Sequence, residues 1–225
     1  MIIKAIITDI EGTTSSIDFV HQTLFPYARA RLREYLKTHG AEAAVREQVE
    51  AVRKETGRVL SLDEAATVLE QWMAEDKKIT PLKILQGLIW REGYQGGELT
   101  GHVYEDAEEY LERWHASGHK LYVYSSGSEE AQKLIFGNTE YGDLTPLFSG
   151  YFDTRIGPKR EAESYRRIVE KIGVQANEAL FLSDIGEELD AARAAGMQTC
   201  QLIRDDKAKP FPAHPQARSF AEVQV

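Results

Sequence analysis

Four short runs of almost wholly apolar residues constrain the fold of this chain most strongly. They lie at residues 2–8, 120–124, 179–182 and 198–203. Strands that are covered on both faces of a parallel sheet have this composition. Helical patterns at 104–117, 129–136, 159–172 and 187–195 lie between or after them, and the first, third and fourth of these stop at Gly118, Gly173 and Gly196. The alternation of strand and helix predicts a doubly wound, mostly parallel α/β sheet.

A stretch without any convincing strand interrupts this alternation after the first run. Residues 26–37 and 41–56 are amphipathic, Ser61 and Glu64 form a capping-box pattern, and Thr80-Pro81 is typical of an N-cap before a helix. Residues 93–97 are predicted to form a loop. We therefore expect a helical domain at 19–97, inserted into an α/β core made of residues 1–18 and 98–225.

Composition excludes several classes of function. The 225 residues include 27 basic and 36 acidic side chains, so the net charge of −9 disfavours binding to nucleic acid or to an anionic membrane. Cys200 is the single cysteine, which rules out an intrachain disulfide and fits a cytoplasmic protein. We expect Cys200 to be a packed small residue. No run approaches the roughly 20 apolar residues of a membrane span, and the first residues do not resemble a signal peptide.

Polar residues follow the predicted strands at the edge of the sheet where open α/β domains bind ligands. They are Asp9 and Glu11 after the first strand, Ser125 and Ser126 after the second, Asp184 after the third, and Lys159 in an intervening loop. Clustered carboxylates repel each other, and Mg²⁺ would remove that conflict. The hydroxyls and the ammonium would then hold phosphate oxygens. An aspartate could attack phosphorus while a second acid transfers protons.

Each of these motifs alone is more often a turn or a helix cap than a functional site. Their order along the chain is specific, and it resembles the haloacid dehalogenase (HAD) superfamily, whose core is Rossmann-like. By this resemblance Asp9 is the nucleophile, Ser125 or Ser126 the second-motif hydroxyl, Lys159 the third-motif lysine and Asp184 a metal ligand. The helical insert has the place of the family's cap domain. Glu11 departs from the family pattern, where aspartate is usual.

Longer strings are similar to one branch of the superfamily, the enolase-phosphatases of methionine salvage. They include DIEGTT at 9–14, LFPYA at 24–28, VYSSGS at 123–128 and FLSD at 181–184. The resemblance implies a monomer with one Mg²⁺ per chain. The implied reaction enolises 2,3-diketo-5-methylthiopentyl-1-phosphate and then dephosphorylates it to the acireductone 1,2-dihydroxy-3-keto-5-methylthiopentene.

The same resemblance implies roles for individual residues. Asp9, Glu11 and Asp184 would bind the metal; Ser125, Ser126 and Lys159 would bind the substrate; Asp9, Glu11 and Lys159 would be catalytic. Glu11 could coordinate metal through its side chain or its backbone, or act as the acid and base. We favour Glu11 as the group that removes the carbon-bound proton.

Two other functions remain as alternatives. A generic Mg²⁺-dependent HAD phosphatase would act on another small phosphate ester without enolisation. A signalling receiver domain also carries a phosphoaccepting aspartate, but such domains are about half as long and have no helical insert. In the insert, Phe19, Phe25 and Trp90 are candidates for contact with the methylthio group, although an aromatic residue in such a segment is more often part of the core.

Overall fold

The computed structural model describes residues 2–205 and 208–225. It divides into two compact units. One comprises Met1–Ile17 and Thr100–Val225, and the other comprises Asp18–Leu99.

The described part of the first unit contains one sheet of six parallel strands in the order β3-β2-β1-β4-β5-β6. The strands are β1 Ala5–Thr8, β2 Lys120–Tyr124, β3 Phe148–Phe152, β4 Ala179–Ser183, β5 Gln198–Leu202 and β6 Gln216–Ala217. The doubly wound α/β fold predicted from the sequence is confirmed. Strand β1 is central, so the strand order reverses there and the carboxyl ends of β1 and β4 lie side by side.

Helices connect the strands and build the second unit. They are α1 Ile17–Phe19, α2 Phe25–His39, α3 Ala43–Thr56, α4 Leu62–Ala74, α5 Thr80–Gln95, α6 Glu105–Ala116, α7 Glu129–Gly137, α8 Ala162–Ile172 and α9 Gly186–Ala194. A π-helical segment at Val20–Leu24 joins α1 to α2. Short 3₁₀ turns lie at Thr145–Leu147, Ala176–Glu178 and Phe220–Glu222.

Two strands were not predicted from the sequence. In β3 the run of apolar residues is broken by Ser149 and Gly150, and β6 has only two residues. The first predicted strand was too long, because β1 begins at Ala5 rather than at residue 2. Helix α8 begins at Ala162, three residues later than predicted, so that Lys159 lies in a loop.

The described part of the second unit is helical and has its own apolar core. That core is formed by residues on one face of each of α2 to α5, including Leu32, Val49, Leu69 and Leu85. The predicted capping box is present, since Ser61 accepts a hydrogen bond from the Glu64 amide and its own amide donates to the Glu64 carboxylate.

The start and end of α5 differ from the prediction. Ile79, not Thr80, is the N-cap residue. The helix continues to Gln95, so the predicted loop at 93–97 is wrong for residues 93–95, and only residues 96 and 97 lie in a turn. Glycine occurs inside this helix because the ring of Tyr27 packs against it: a Cβ atom on Gly93 would lie 2.6 Å from the Tyr27 ring. A glycine required by packing was therefore misread as a loop residue.

The segments that leave and re-enter the first unit are held together by His102. Its Nδ1 accepts a hydrogen bond from the Ser16 amide at 3.1 Å and lies 3.2 Å from Ser15 Oγ. Burial lowers the pKa of His102, which favours the neutral ring that can accept at Nδ1. The amide of Tyr104 also donates to the carbonyl of Thr14 at 2.9 Å. The chain therefore leaves the first unit and returns to it at adjacent points.

Among residues 2–205 and 208–225, no helix has the length and apolarity that crossing a bilayer requires. Cys200 is buried on β5, as expected, and burial raises the pKa of its thiol to about 11.

Candidate active site

The site begins at the two neighbouring strand ends at the centre of the sheet. Asp9 directly follows β1, and its amide donates a hydrogen bond to the Leu182 carbonyl of β4 at 2.9 Å. Asp184 directly follows β4. The parallel register, in which Thr8 pairs with Leu182, therefore places both aspartates at one edge of the sheet. The adjacency predicted from the sequence follows from β1 and β4 being hydrogen-bonded neighbours.

Lys159 pairs with two carboxylates at this edge. Its Nζ lies 2.8 Å from Asp9 Oδ1 and 2.6 Å from Glu188 Oε2. The Lys159 side chain is 7% exposed. Burial opposes the charge on the ammonium, but the attraction of Asp9 and Glu188 outweighs it, so that the pKa of Lys159 is raised.

The loop that carries Lys159 is held by hydroxyl groups from its surroundings. Three successive carbonyls each accept one hydroxyl hydrogen bond: Gly157 from Tyr124 at 2.9 Å, Pro158 from Ser164 at 2.7 Å, and Lys159 from Tyr165 at 2.7 Å. Two donors come from α8 and one from β2, so the loop cannot shift without breaking a buried hydrogen bond. Lys159 is thereby fixed although it lies outside a helix.

The surroundings of Asp184 disfavour the negative charge on its carboxyl group. Burial and, next to it, the negative charges of Asp9 and Glu188 raise the pKa of Asp184 to about 7. Within the described residues its buried Oδ1 has no hydrogen-bond partner. Gly12, at φ +72°, lies against the same carboxylate, since a Cβ atom there would be 2.5 Å from Asp184 Oδ2. The site therefore has an excess of negative charge beside Asp184.

Glu188 was not assigned to the site from the sequence. It lies in the first turn of α9, and its carboxylate accepts a hydrogen bond from Ser183 Oγ at 3.0 Å as well as pairing with Lys159. Burial and the charge of Asp9 raise its pKa to about 7. The sequence feature that could have assigned Glu188 to the site is its spacing. It follows Asp184 by four residues, in a helix that starts at the same edge of the sheet.

The two serines after β2 do not cap the next helix. Ser128 has that role, because its Oγ accepts a hydrogen bond from the Ala131 amide at 3.2 Å. Ser125 is buried and its Oγ accepts from the Gly127 amide, while Ser126 is half-buried. The common alternative explanation for serines before a helix therefore does not apply to Ser125 and Ser126.

Glu11 lies two residues beyond Asp9 and is half-buried. Its backbone forms an isolated parallel β-bridge with the backbone of Ser15 in the turn after β1. The turn is closed by Thr14, whose hydroxyl donates to the carbonyl of Asp9 at 3.0 Å. Hydrogen bonding within the turn thus holds the backbone around Asp9 and Glu11.

The donor set fits a hard divalent cation. In the part of the chain that the structure describes, no three His, Cys, Asp or Glu side chains are already arranged around a metal position. Mg²⁺ does not need such a cage, because it usually takes one or two carboxylates together with waters and substrate phosphate. The unpartnered oxygen of Asp184, and its pKa raised in part by Asp9, are what a missing positive charge would produce.

Comparison with known proteins identifies the class. Residues 3–196 match the family model described as haloacid dehalogenase-like hydrolase, so the chain belongs to this family of hydrolases.

Within this family, the chain is similar over its length to particular curated proteins and to a solved structure. The chain is 56% identical over 206 residues to Enolase-phosphatase E1 of Pseudomonas fluorescens (strain Pf0-1), covering 91% of each protein. It is 55% identical over 226 residues to Enolase-phosphatase E1 of Pseudomonas aeruginosa (strain UCBPP-PA14), covering 100% of both. It superposes on the UTR4 protein of Saccharomyces cerevisiae with a TM-score of 0.82 and 31% identity, covering 98% of this chain and 100% of that one. The resemblance to enolase-phosphatases is confirmed.

Replacing Lys159 by methionine should strongly destabilise the protein. Two buried carboxylates would lose their shared cation, and breaking a buried ion pair from one side costs about 3–5 kcal/mol. The free energy of unfolding, from urea titration near neutral pH, measures this loss. Lys171→Met is the matched control, because Lys171 is exposed on the following helix and gives up only a contact over the Phe152 ring, so this change should alter stability by less than about 1 kcal/mol. Equal losses in both variants would contradict the buried ion pair.

Replacing Asp184 by asparagine should stabilise the protein when divalent cations are chelated. The folded-state pKa of about 7 lies above the ordinary value of about 4, so the folded protein binds the proton more tightly between these pH values. Stability of the wild type should therefore fall as pH rises from about 4 to about 7, and level off above that.

Asp184→Asn removes this cost, so we expect a gain on the order of 1–3 kcal/mol above pH 7 and a shallower pH slope. Glu187→Gln removes one exposed charge nearby and is the control. Urea unfolding over a pH series measures both variants. A loss of stability in Asp184→Asn at high pH would show that the carboxylate is compensated.

Proposed function

We propose that the protein is an enolase-phosphatase of methionine salvage. It enolises 2,3-diketo-5-methylthiopentyl-1-phosphate and then hydrolyses the phosphate to release the acireductone 1,2-dihydroxy-3-keto-5-methylthiopentene. The full-length similarity to proteins named Enolase-phosphatase E1 supports the substrate. The observation that carries the phosphatase chemistry is Asp9, at the end of the central strand and paired with the buried Lys159.

We propose that Asp9, Glu11 and Asp184 hold one Mg²⁺ per chain. The unpartnered buried oxygen of Asp184 supports this assignment most directly. Once bound, the ion would supply Lewis-acid stabilisation of charge on the substrate carbonyl and phosphate oxygens.

In the phosphatase step, a carboxylate oxygen of Asp9 forms a bond to phosphorus while the bond from phosphorus to the substrate oxygen breaks. The leaving oxygen takes a proton from an acid, and water then hydrolyses the aspartyl-phosphate to free phosphate. Lys159 keeps one Asp9 oxygen in a fixed hydrogen bond, which orients the carboxylate and holds a positive charge next to the incoming phosphate. Ser125 and Ser126 donate hydroxyl hydrogen bonds to phosphate oxygens in this proposal.

In the enolisation step, a base removes a proton from the carbon beside a carbonyl. We assign this role to Glu11, because it follows Asp9 by two residues and the turn fixes its backbone. A half-buried carboxylate can also return the proton to the leaving group. Coordination of the metal by the Glu11 carbonyl would leave its side chain available for this work.

The helical unit serves as the cap in this proposal and supplies apolar surface for the methylthio end. Phe25 and Trp90, which are half-buried, stack with ring centroids 6.3 Å apart, and Trp90 donates to the Leu24 carbonyl at 2.8 Å. Phe19 is half-buried as well. A small-molecule substrate, a monomeric state and a cytoplasmic location belong to the same proposal.

One reaction followed in two ways tests the function. The purified protein is mixed with the methylthio diketo phosphate and Mg²⁺, and the ultraviolet absorbance of the conjugated enol is recorded together with phosphate release. We expect the enol signal to rise with or before phosphate, and both signals to disappear when the metal is chelated. Phosphate release without enol absorbance would mean a generic HAD phosphatase. Absence of both signals with Mg²⁺ present would contradict the proposed substrate.

Glu11→Gln tests the assignment of the base. The amide has nearly the same shape but cannot accept the carbon-bound proton, so enolisation and the phosphate release that follows it should fall together by roughly 100-fold or more. Glu187→Gln, an exposed replacement of the same type, should keep both rates. Normal enol formation in Glu11→Gln would assign the base elsewhere.

A further inference from the structure

The buried side chain of Gln201 makes four hydrogen bonds, which is the full number that an amide of two donors and two acceptor positions forms here. Its Nε2 donates to the carbonyls of Asp184 at 2.9 Å and Lys209 at 2.8 Å. Its Oε1 accepts from the Phe211 amide at 2.8 Å and from Gln216 Nε2 at 3.2 Å. Gln201 is 0% exposed, so losing any of these partners would leave a buried polar group unsatisfied.

Three of the four partners belong to the stretch 209–217, which we call the C-terminal segment, and the fourth is the peptide of Asp184. Gln201 thus joins the C-terminal segment to a residue of the candidate metal site. The other side of the same residue is also held, because the Asp184 amide donates to Thr13 Oγ1 at 3.1 Å. The backbone of Asp184 is therefore fixed on both sides by side-chain hydrogen bonds.

A second contact joins the same two parts of the chain. The ring of Phe211 packs directly on Gly186, the first residue of α9, where a Cβ atom would lie 2.0 Å from the ring. Gly186 is buried beneath it. The turn from Asp184 to Gly186 therefore has the Gln201 amide at its first residue and the Phe211 ring at its last.

We propose that Gln201 and Phe211 are positioning residues for the metal site, and that the C-terminal segment is part of the scaffold that aims the Asp184 carboxylate. This proposal rests on the proposed function, in which Asp184 is a ligand of Mg²⁺. The physical reason is that a ligand binds a metal well only when its own position is fixed before binding. Gln201 fixes the Asp184 backbone, and Phe211 prevents the turn from moving towards the C-terminal segment.

The chain offers a matched control for a merely structural role. Thr199 lies two residues before Gln201 on β5, so both side chains are on the same face of the sheet. Thr199 is also buried, and its Oγ1 is hydrogen-bonded to His214 Nδ1 of the C-terminal segment at 2.8 Å. Within the described residues, no hydrogen bond joins Thr199 to the turn that begins at Asp184. Loss of the Thr199 contact should loosen the segment without releasing the Asp184 peptide.

The test compares Mg²⁺ binding in Gln201→Glu and Thr199→Val. Glutamate keeps the acceptor for the Phe211 amide but turns an oxygen towards the Asp184 and Lys209 carbonyls, where the amide donated. Metal-free protein is titrated with Mg²⁺ by calorimetry at constant pH. We expect the dissociation constant to rise roughly 10- to 100-fold in Gln201→Glu, the usual range for residues that support a metal ligand, and by less than about twofold in Thr199→Val.

Steady-state kinetics adds a readout that a loss of stability alone would not change. The Mg²⁺ concentration for half-maximal phosphate release should rise in Gln201→Glu by the same factor as the dissociation constant. The rate at saturating Mg²⁺ should stay close to that of the wild type, because Asp9 and Lys159 are unaltered. Thermal unfolding with and without Mg²⁺ gives a further measure, since the stabilisation by bound metal grows with the logarithm of the ratio of the Mg²⁺ concentration to the dissociation constant.

Two further variants keep the proposal testable if Gln201→Glu does not fold. Gln201→Met removes the hydrogen bonds without adding a charge. Phe211→Leu shortens the ring that covers Gly186 and leaves Gln201 intact. Each should weaken Mg²⁺ binding more than Thr199→Val does.

Equal Mg²⁺ affinity in wild type, the Gln201 variants and Phe211→Leu would overturn the inference while leaving the proposed function in place. Failure of the wild-type protein itself to bind Mg²⁺ would overturn both the metal assignment and the inference built on it.

Discussion

Repulsion between buried carboxylates is the constraint on which the site depends. Asp9, Asp184 and Glu188 meet at the point where the strand order reverses, and Lys159 is the cation that pairs with two of them. A lysine with four rotatable bonds would not stay in such a position unaided. The three hydroxyls that hold its loop, and the burial of its stem, keep the ammonium between Asp9 and Glu188. The pKa of Asp184 stays raised, because its buried carboxylate is still repelled by Asp9 and Glu188. A bound cation would relieve this repulsion.

Those parts of the fold that depend on local pattern could be predicted from the sequence. Strand β2 was predicted with its observed bounds, and the capping box of Ser61 was recognised, because each signal lies within a few neighbouring residues. The proximity of Asp9 and Asp184 also followed, since a parallel doubly wound sheet brings the carboxyl ends of its central strands together. The metal and substrate roles of the predicted residues remain proposals.

What could not be predicted depends on contacts between distant residues. Strand β6 is too short to have a pattern of its own and exists because β5 offers it an edge. Gly93 was misread because its neighbour, Tyr27, is far away in sequence. The pairing of Glu188 with Lys159, and the link from Gln201 to Asp184, join segments whose relation only the folded sheet establishes. Local propensity carries no information about such pairs.

The hydrogen bonds of His102 with Ser15 and Ser16 have a consequence for the history of this fold. The long inserted segment leaves and re-enters the α/β unit at adjacent points, so its length and sequence put no strain on the sheet. Such an arrangement makes the insertion a module: one helical segment can be exchanged for another by recombination while the phosphate chemistry is retained. In the proposed function the insert contacts the methylthio group and the α/β unit carries the reaction, so substrate range and reaction chemistry can evolve under separate selection, on two stretches of a single gene.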